Sequence, residues 1–162
     1  MNAEIINELR SKKVVGIIAD DAYYTLIDAK ENAIAEKFQL GNYEDASREI
    51  LIENINKIEM YISEINPMIY DLVEFSEKPM LLILPNSVQI SSAWRNTEGN
   101  VGIRAESNPP LNKILNQYRA ALVKIKTATA INEVKYFELN YFEEDKTILS
   151  LEPNGKISII KK

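Results

Sequence analysis

The chain has 162 residues, 46% hydrophobic and 27% charged, which suits one folded domain around one core and argues against disorder. It contains no histidine and no cysteine, so Ser-His-Asp and Cys-His nucleophilic catalysis, zinc sites of the usual type, disulfides and thiol redox chemistry are all excluded. The formal net charge of −5 argues against DNA and against strong non-specific binding to any nucleic acid, while leaving room for a local basic pocket. A metal would have to be a hard cation such as Mg²⁺, held by carboxylates and ligand phosphates. A general base would have to be Asp, Glu, Lys or Tyr.

Read in chain order, Met1-Asn2-Ala3-Glu4 has neither a basic n-region nor an apolar h-region. No apolar run is long enough to span a bilayer, so a cytoplasmic location without membrane contact is expected. Asn2–Lys12 reads as a helix with Ile5, Ile6 and Leu9 on one face. Val14–Ile18 is a β-branched run read as a buried strand, and Asp20–Tyr24 follows as a loop or second strand. Ala29–Leu40 is predicted helical, stopped by Gly41-Asn42. Ile50-Leu51-Ile52 is a strand candidate. Ile55, Ile58, Ile62 and Ile65 recur at helical spacing, which predicts a helix over Asn54–Ile65 ended by Asn66-Pro67. Met68–Glu74 is a short helix, Met80–Leu84 a strand closed by Pro85-Asn86, and Val101–Arg104 another strand. Asn108-Pro109-Pro110 opens a helix carrying Leu111, Ile114, Leu115 and Tyr118. Ala121–Ile125, Val134–Tyr141, Thr147–Leu151 and Lys156–Ile160 are strands, with Pro153-Asn154-Gly155 as a hairpin turn between the last two. The pattern is α/β (α+β): a mixed sheet flanked by helices, in a single domain over 1–162.

No G-x-G-x-x-G loop, Walker A loop or G-x-S-x-G elbow is present. Asp20-Asp21 follows a buried strand, where α/β sheets often place ligands, and either binds Mg²⁺ or is a polar turn. Glu143-Glu144-Asp145 reads as a solvated acidic loop. Lys124 and Lys126 lie two apart in a strand and therefore share a face. They either receive an anion or protect a sheet edge. Trp94-Arg95 either stacks on a base or anchors its loop.

The order of segments resembles the YrdC-like family of threonylcarbamoyl-AMP synthases and its YciO-like relatives, over nearly the whole chain. The family signature P-T-D-T-x-Y-G-L corresponds to Ala19–Leu26, P-L-T-L-I to Pro79–Ile83, and G-[IV]-R to Gly102-Ile103-Arg104. P-[LI]-V-S-T-S-A-N corresponds to Ala121–Ala128, the late S-S-I-I to Lys146–Leu149, and the G-x-[IV]-x-I-I ending to Gly155–Ile160. The resemblance implies a YrdC-like twisted sheet with helices on its faces. It also implies a pocket in which threonine, bicarbonate and ATP, with Mg²⁺, form a threonylcarbamoyl adenylate used in tRNA modification. Double-stranded RNA and nucleotides are further implied partners, as for a translation-factor-like domain.

The ligand positions implied by the resemblance are Asp20, Asp21, Tyr24, Lys37, Arg104, Lys124, Lys126 and Thr147. Asp21, Tyr24, Arg104 and Thr147 keep the family residue. Asp20, Ala22, Leu81, Lys124, Lys126, Ala128 and Lys146 replace hydroxyls or an amide, and of the family's K-x-R only Lys37 has a counterpart. Losing several preorganised donors, each worth about 3 kcal/mol at a transition state, implies a catalytically degenerate relative with no catalytic residue of its own. The expected function is a domain binding a nucleotide, RNA or another anion. The alternatives are an active synthase requiring ATP and Mg²⁺, an enzyme using Asp21, Tyr24 and Arg104 on another anion, or a protein-interaction module with a self-filled pocket. In the self-filled case, Lys124 or Lys126 is expected to pair with Asp20 across the old pocket.

Overall fold

The computed structural model describes residues 2–34, 43–45 and 47–162. Helix α1 (Asn2–Lys12) buries Ile5, Ile6 and Leu9, as their spacing requires. It ends at Lys13 in the left-handed region, φ 65°. Strands β1 (Val14–Ala19) and β2 (Ala22–Asp28) then form an antiparallel hairpin. Its two turn residues, Asp20 and Asp21, have φ of 49° and 59°, the pair of positive angles that a two-residue hairpin demands and that Asp tolerates.

Next come β3 (Arg48–Ile52), α2 (Met68–Glu74), β4 (Met80–Leu84), β5 (Val101–Ala105), α3 (Pro109–Tyr118) and β6 (Leu122–Thr127). The chain closes with β7 (Tyr136–Glu138), β8 (Thr147–Leu151) and β9 (Ile157–Lys161). The nine strands of the described residues form one mixed sheet in the order β7-β1-β2-β6-β3-β5-β4-β8-β9. Pairs β1–β7, β3–β5 and β4–β8 are parallel and the rest antiparallel.

One face of the sheet packs Val15, Ile17, Leu26, Leu51 and Leu122 against α1 and α3. The other side carries Ile27, Ile50, Val123 and Ile103 under Trp94, Ile58 and Ile69. Gly102 is needed for close approach: a Cβ there would lie 2.3 Å from the buried ring of Tyr43, whose hydroxyl donates to the Trp94 carbonyl at 2.5 Å. Trp94 is therefore a loop anchor, not a platform for a base.

Three predicted elements change. Asn54–Ile65 is a 3₁₀ segment over Ile55–Met60, capped by Asn54, because Ile62 leaves to bridge Ser87 and Glu64 turns to φ 59°. The predicted helix Ala29–Leu40 is a turn as far as Ile34, fixed by Asp28 accepting from Lys30 N, and its remainder lies outside the described residues. The strand predicted over Val134–Tyr141 shrinks to three residues, after which the chain leaves the sheet edge. Among the described residues, no helix is long and apolar enough to cross a membrane.

Candidate functional site

Strands β2, β6, β3 and β5 lie side by side, and the period of two aims Tyr24, Lys124, Glu49 and Arg104 to the α1–α3 face. Glu49 and Lys124 are direct cross-strand partners, and Arg104 stands opposite Leu51 one step along. The segment 139–146 then crosses this face from β7 at one edge to β8 near the other, bringing Tyr141, Glu143 and Lys146 with it. A charged cluster results on this face of the sheet.

Its centre is Glu49, whose side chain is 0% exposed. Arg104 grips it with two parallel hydrogen bonds, Nε to Oε1 at 3.0 Å and Nη2 to Oε2 at 3.2 Å. Lys124 Nζ stands 3.0 Å from Oε2, and Lys146 Nζ 2.6 Å from Oε1. None of these three cations is more than 5% exposed. Two further carboxylates balance them. Glu106 pairs with Nη1 of Arg104, and Glu143 at the mouth accepts from Lys124 at 3.4 Å and from Lys126 at 3.5 Å. The Tyr141 hydroxyl accepts a 2.6 Å bond from Lys124 Nζ, which also lies 5.2 and 4.9 Å from the ring centres of Tyr24 and Tyr141.

An isolated buried carboxylate would protonate to escape its desolvation cost. Here burial pushes Glu49 upward, but Arg104, Lys124 and Lys146 outweigh it and hold the carboxyl well below the usual range. The cations respond unequally. For Lys124, burial is overcome by Glu49 and the ammonium is held more firmly. For Lys146, burial prevails and, with Lys124 and Arg104 nearby, its affinity for a proton falls. Burial, with Glu143 adding to it, pushes the Tyr24 hydroxyl up to about 12, so it stays neutral.

The structure brings together four of the expected ligand positions, Tyr24, Arg104, Lys124 and, on the exposed rim, Lys126, and adds Lys146, which the resemblance marked only as a replaced serine. Asp20 and Asp21 sit in the hairpin turn and make no ion pair among the described residues, so the expected Lys–Asp20 pair is replaced by lysine pairs to Glu49 and Glu143. Thr147 serves the sheet, its N–H donating to Pro79 at 2.9 Å. Lys37 lies outside the described residues. Reasoning from sequence missed Glu49, Glu106 and Tyr141, and took Glu143 for a solvated loop residue. A signal for Glu49 existed: Arg48-Glu49 is a charged pair directly before the apolar run of a buried strand, where a charge needs a partner.

Beside the cluster, Pro79, Arg104, Glu106, Tyr141 and Lys146 bound a cavity of about 10 Å³, room for roughly one water. Small-molecule sites usually offer about 300–1,000 Å³. Outside the mouth, a cleft of about 460 Å³ mixes Lys126, Lys146 and Lys161 with Glu143, Glu144 and Asp145. Among the described residues, no group of three or more acidic side chains is placed to hold a metal ion. The residues therefore do not fit a nucleoside triphosphate with Mg²⁺ at the cluster, because its cations are already neutralised and its space is taken.

No family model matches the sequence, and no curated protein matches it. Solved structures do match the fold. E. coli YciO superposes with a TM-score of 0.72 at 11% identity, covering 99% of this chain and 88% of that one. P. abyssi Sua5 complexed with L-threonine gives 0.69 at 13% identity, covering 93% of this chain and 50% of that one. Full-length HypF in its phosphate- and nucleotide-bound form gives 0.66 at 10% identity, covering 98% of this chain and 28% of that one. The chain thus spans about half the length of Sua5 and nearly all of YciO. At these identities the likeness is one of fold: a YrdC/YciO-like mixed sheet with helices packed on it.

Proposed function

We propose that this domain is a catalytically silent YrdC-like binding module whose anion pocket is occupied by its own Glu49. The carrying observation is the convergence of Arg104, Lys124 and Lys146 on one fully buried carboxylate. Cations aligned with a family's ligand motifs would be expected to face a substrate carboxylate or phosphate. Here an internal carboxylate stands in that role, with a bidentate grip that an incoming ligand would have to match and displace. L-Threonine in the Sua5 complex and phosphate and nucleotide in HypF are the ligand classes such a pocket would otherwise take. On this reading tRNA, RNA or protein partners meet the outer surface, and neither ATP nor Mg²⁺ is required.

The test pairs the parent with Glu49→Ala. Incubated with L-threonine, bicarbonate, ATP and Mg²⁺, the parent is expected to release no pyrophosphate above buffer and to show no shift in unfolding midpoint. Glu49→Ala, with three cations facing a vacated position, is expected to be stabilised by sulfate or phosphate, by about 2.7 kcal/mol at a hundred times the Kd. Threonine-dependent pyrophosphate release by the parent would overturn the proposal. So would anion stabilisation of the parent as large as that of the variant.

A further inference from the structure

The turn Pro153-Asn154-Gly155 joins β8 to β9, and Asn154-Gly155 is the one Asn-Gly pair in the chain. The loop is closed by Glu152 N donating to Lys156 O at 3.0 Å and by Gly155 N donating to Glu152 O at 2.9 Å, with Gly155 at φ 91°. That is the three-residue hairpin form in which glycine takes the left-handed position. Pro153 and Asn154 are exposed, and β9 beyond them is exposed throughout and paired with β8 alone.

This turn sets a backbone nitrogen beside a side-chain amide with which it can react. Glycine carries no side chain, so nothing shields its N–H from base or hinders its approach to the preceding residue. Asn154 Oδ1 accepts from Lys156 N at 2.9 Å. Attack at Asn154 Cγ places negative charge on that oxygen, and a donor is already aimed at it. One contact opposes the step: the Gly155 N–H must leave the Glu152 carbonyl. The cost is small at an exposed hairpin tip, because such ends open locally while the rest of the sheet stays paired. Asn86-Ser87 is the contrast. Its follower is also small, but Ser87 is 6% exposed and bridges Ile62, and the Asn86 carbonyl accepts from Ser63 N at 3.0 Å. That pair is held inside the fold.

We propose that Asn154 is a self-modification site, at which the chain deamidates through a succinimide and thereby loosens β9. Base removes the Gly155 N–H proton, the nitrogen bonds to Asn154 Cγ, the Cγ–Nδ2 bond breaks, and ammonia leaves. One water then opens the ring. Cleavage of the new N–Cγ bond gives aspartate. Cleavage of the older bond, from the same nitrogen to the Asn154 carbonyl carbon, gives isoaspartate, whose main chain runs through Cγ and is one methylene longer. Aspartate keeps an acceptor for Lys156 N. Isoaspartate lengthens a loop whose two closing hydrogen bonds fix its length, so the start of β9 loses its register on β8. The inference goes beyond the silent pocket and does not rest on it.

The folded protein is kept at mildly alkaline pH beside the same chain unfolded in guanidinium. The peptides spanning Asn154 and Asn86 are followed by mass spectrometry, with aspartate and isoaspartate separated by chromatography. Asn154 is expected to convert in the folded protein at no less than about a tenth of its unfolded rate, and Asn86 to be protected far more strongly. Hydrogen exchange at Ile157–Lys161 should be faster in the isoaspartyl form than in the parent. It should be unchanged in freshly prepared Asn154→Asp, which adds the charge without the methylene. Asn154→Gln, whose longer side chain closes a larger ring slowly, should stay unmodified at that position. Protection of Asn154 by more than about tenfold would overturn the site, because the bond from Gly155 to Glu152 would then hold the nitrogen in place. Parent-like exchange of β9 in the isoaspartyl protein would overturn the loosening.

Discussion

Two ionic knots in this molecule each gather cations around one carboxylate at comparable distances and differ above all in burial. At Glu49, three cations approach to between 2.6 and 3.0 Å, and no side chain of the four is more than 5% exposed. At Asp145, Lys78 and Lys161 approach to 3.1 and 3.0 Å, and all three side chains are between 45% and 61% exposed. The comparison separates geometry from energy. In water a pair at this distance gains little and is screened by salt. In the interior the attraction is large, but so is the desolvation it must offset, and the whole set is viable only while every member is present. The buried knot is thus fixed as a unit, whereas the surface knot is a loose tether between β9 and the segment before β4.

Removing the central carboxylate should have the largest effect. Glu49→Gln keeps the shape and leaves Arg104, Lys124 and Lys146 without their shared partner. A loss of about 3–5 kcal/mol in urea unfolding is expected, the usual cost of stranding buried charge. A loss below about 1 kcal/mol would erase the distinction between the two knots and would mean that water reaches Glu49 freely.

Acid should reproduce part of that loss in the unmodified protein. Glu49 and Glu143 both have folded-state affinities for protons below those of the unfolded chain, because the cations outweigh burial. Such groups contribute stability that is fully present above the unfolded carboxylate value of about 4.3 and is lost as pH falls toward the folded values. Lys146 works in the opposite sense at the alkaline end: its folded value is lowered, so its unfavourable share shrinks as pH rises toward its unfolded value of about 10.4. The urea midpoint should therefore drop between about pH 5 and pH 3, and Glu49→Gln should show a shallower drop over the same interval. Parallel curves for the two proteins would mean that the acid sensitivity arises elsewhere.

How much of this was legible in the sequence depended on the range of the interactions. Local periodicity is a short-range property, and it located α1, α2, α3 and the cores of most strands, as Ile5, Ile6 and Leu9 illustrate. It failed at Ile55–Ile65, where helical spacing was outvoted by the bridge from Ile62 to Ser87. Family resemblance assigned Arg104, Lys124 and Tyr24 to one candidate pocket, and the strand order β2-β6-β3-β5 sets the strands that carry them side by side, because motif order carries the topology of the sheet. It paired the lysines with Asp20, which sits in the tight hairpin turn at φ 49° and makes no ion pair among the described residues, whereas Glu49 and Glu143 take the lysines. Glu49 escaped for the complementary reason. It lies in no family motif, and only the β3–β6 register sets it opposite Lys124.

The smallest effect should come from the surface knot. Hydrogen bonds from Lys161 and Lys78 draw the Asp145 carboxyl down to about 2, which on its face suggests a stabilising pair. Its side chain is 61% exposed, however, so water competes for each of those bonds and two long lysine chains must be ordered to make them. Asp145→Asn is therefore expected to leave the unfolding midpoint unchanged within error, at low salt and at high. The informative readout is local. Exchange of the β9 amides should quicken, since Lys78 and Lys161 no longer meet at one carboxylate, while exchange around Glu49 on β3 should stay as it was. A midpoint shift approaching that of Glu49→Gln would show that burial is not what distinguishes the two knots, and the view of Glu49 as a uniquely held internal ligand would fall with it.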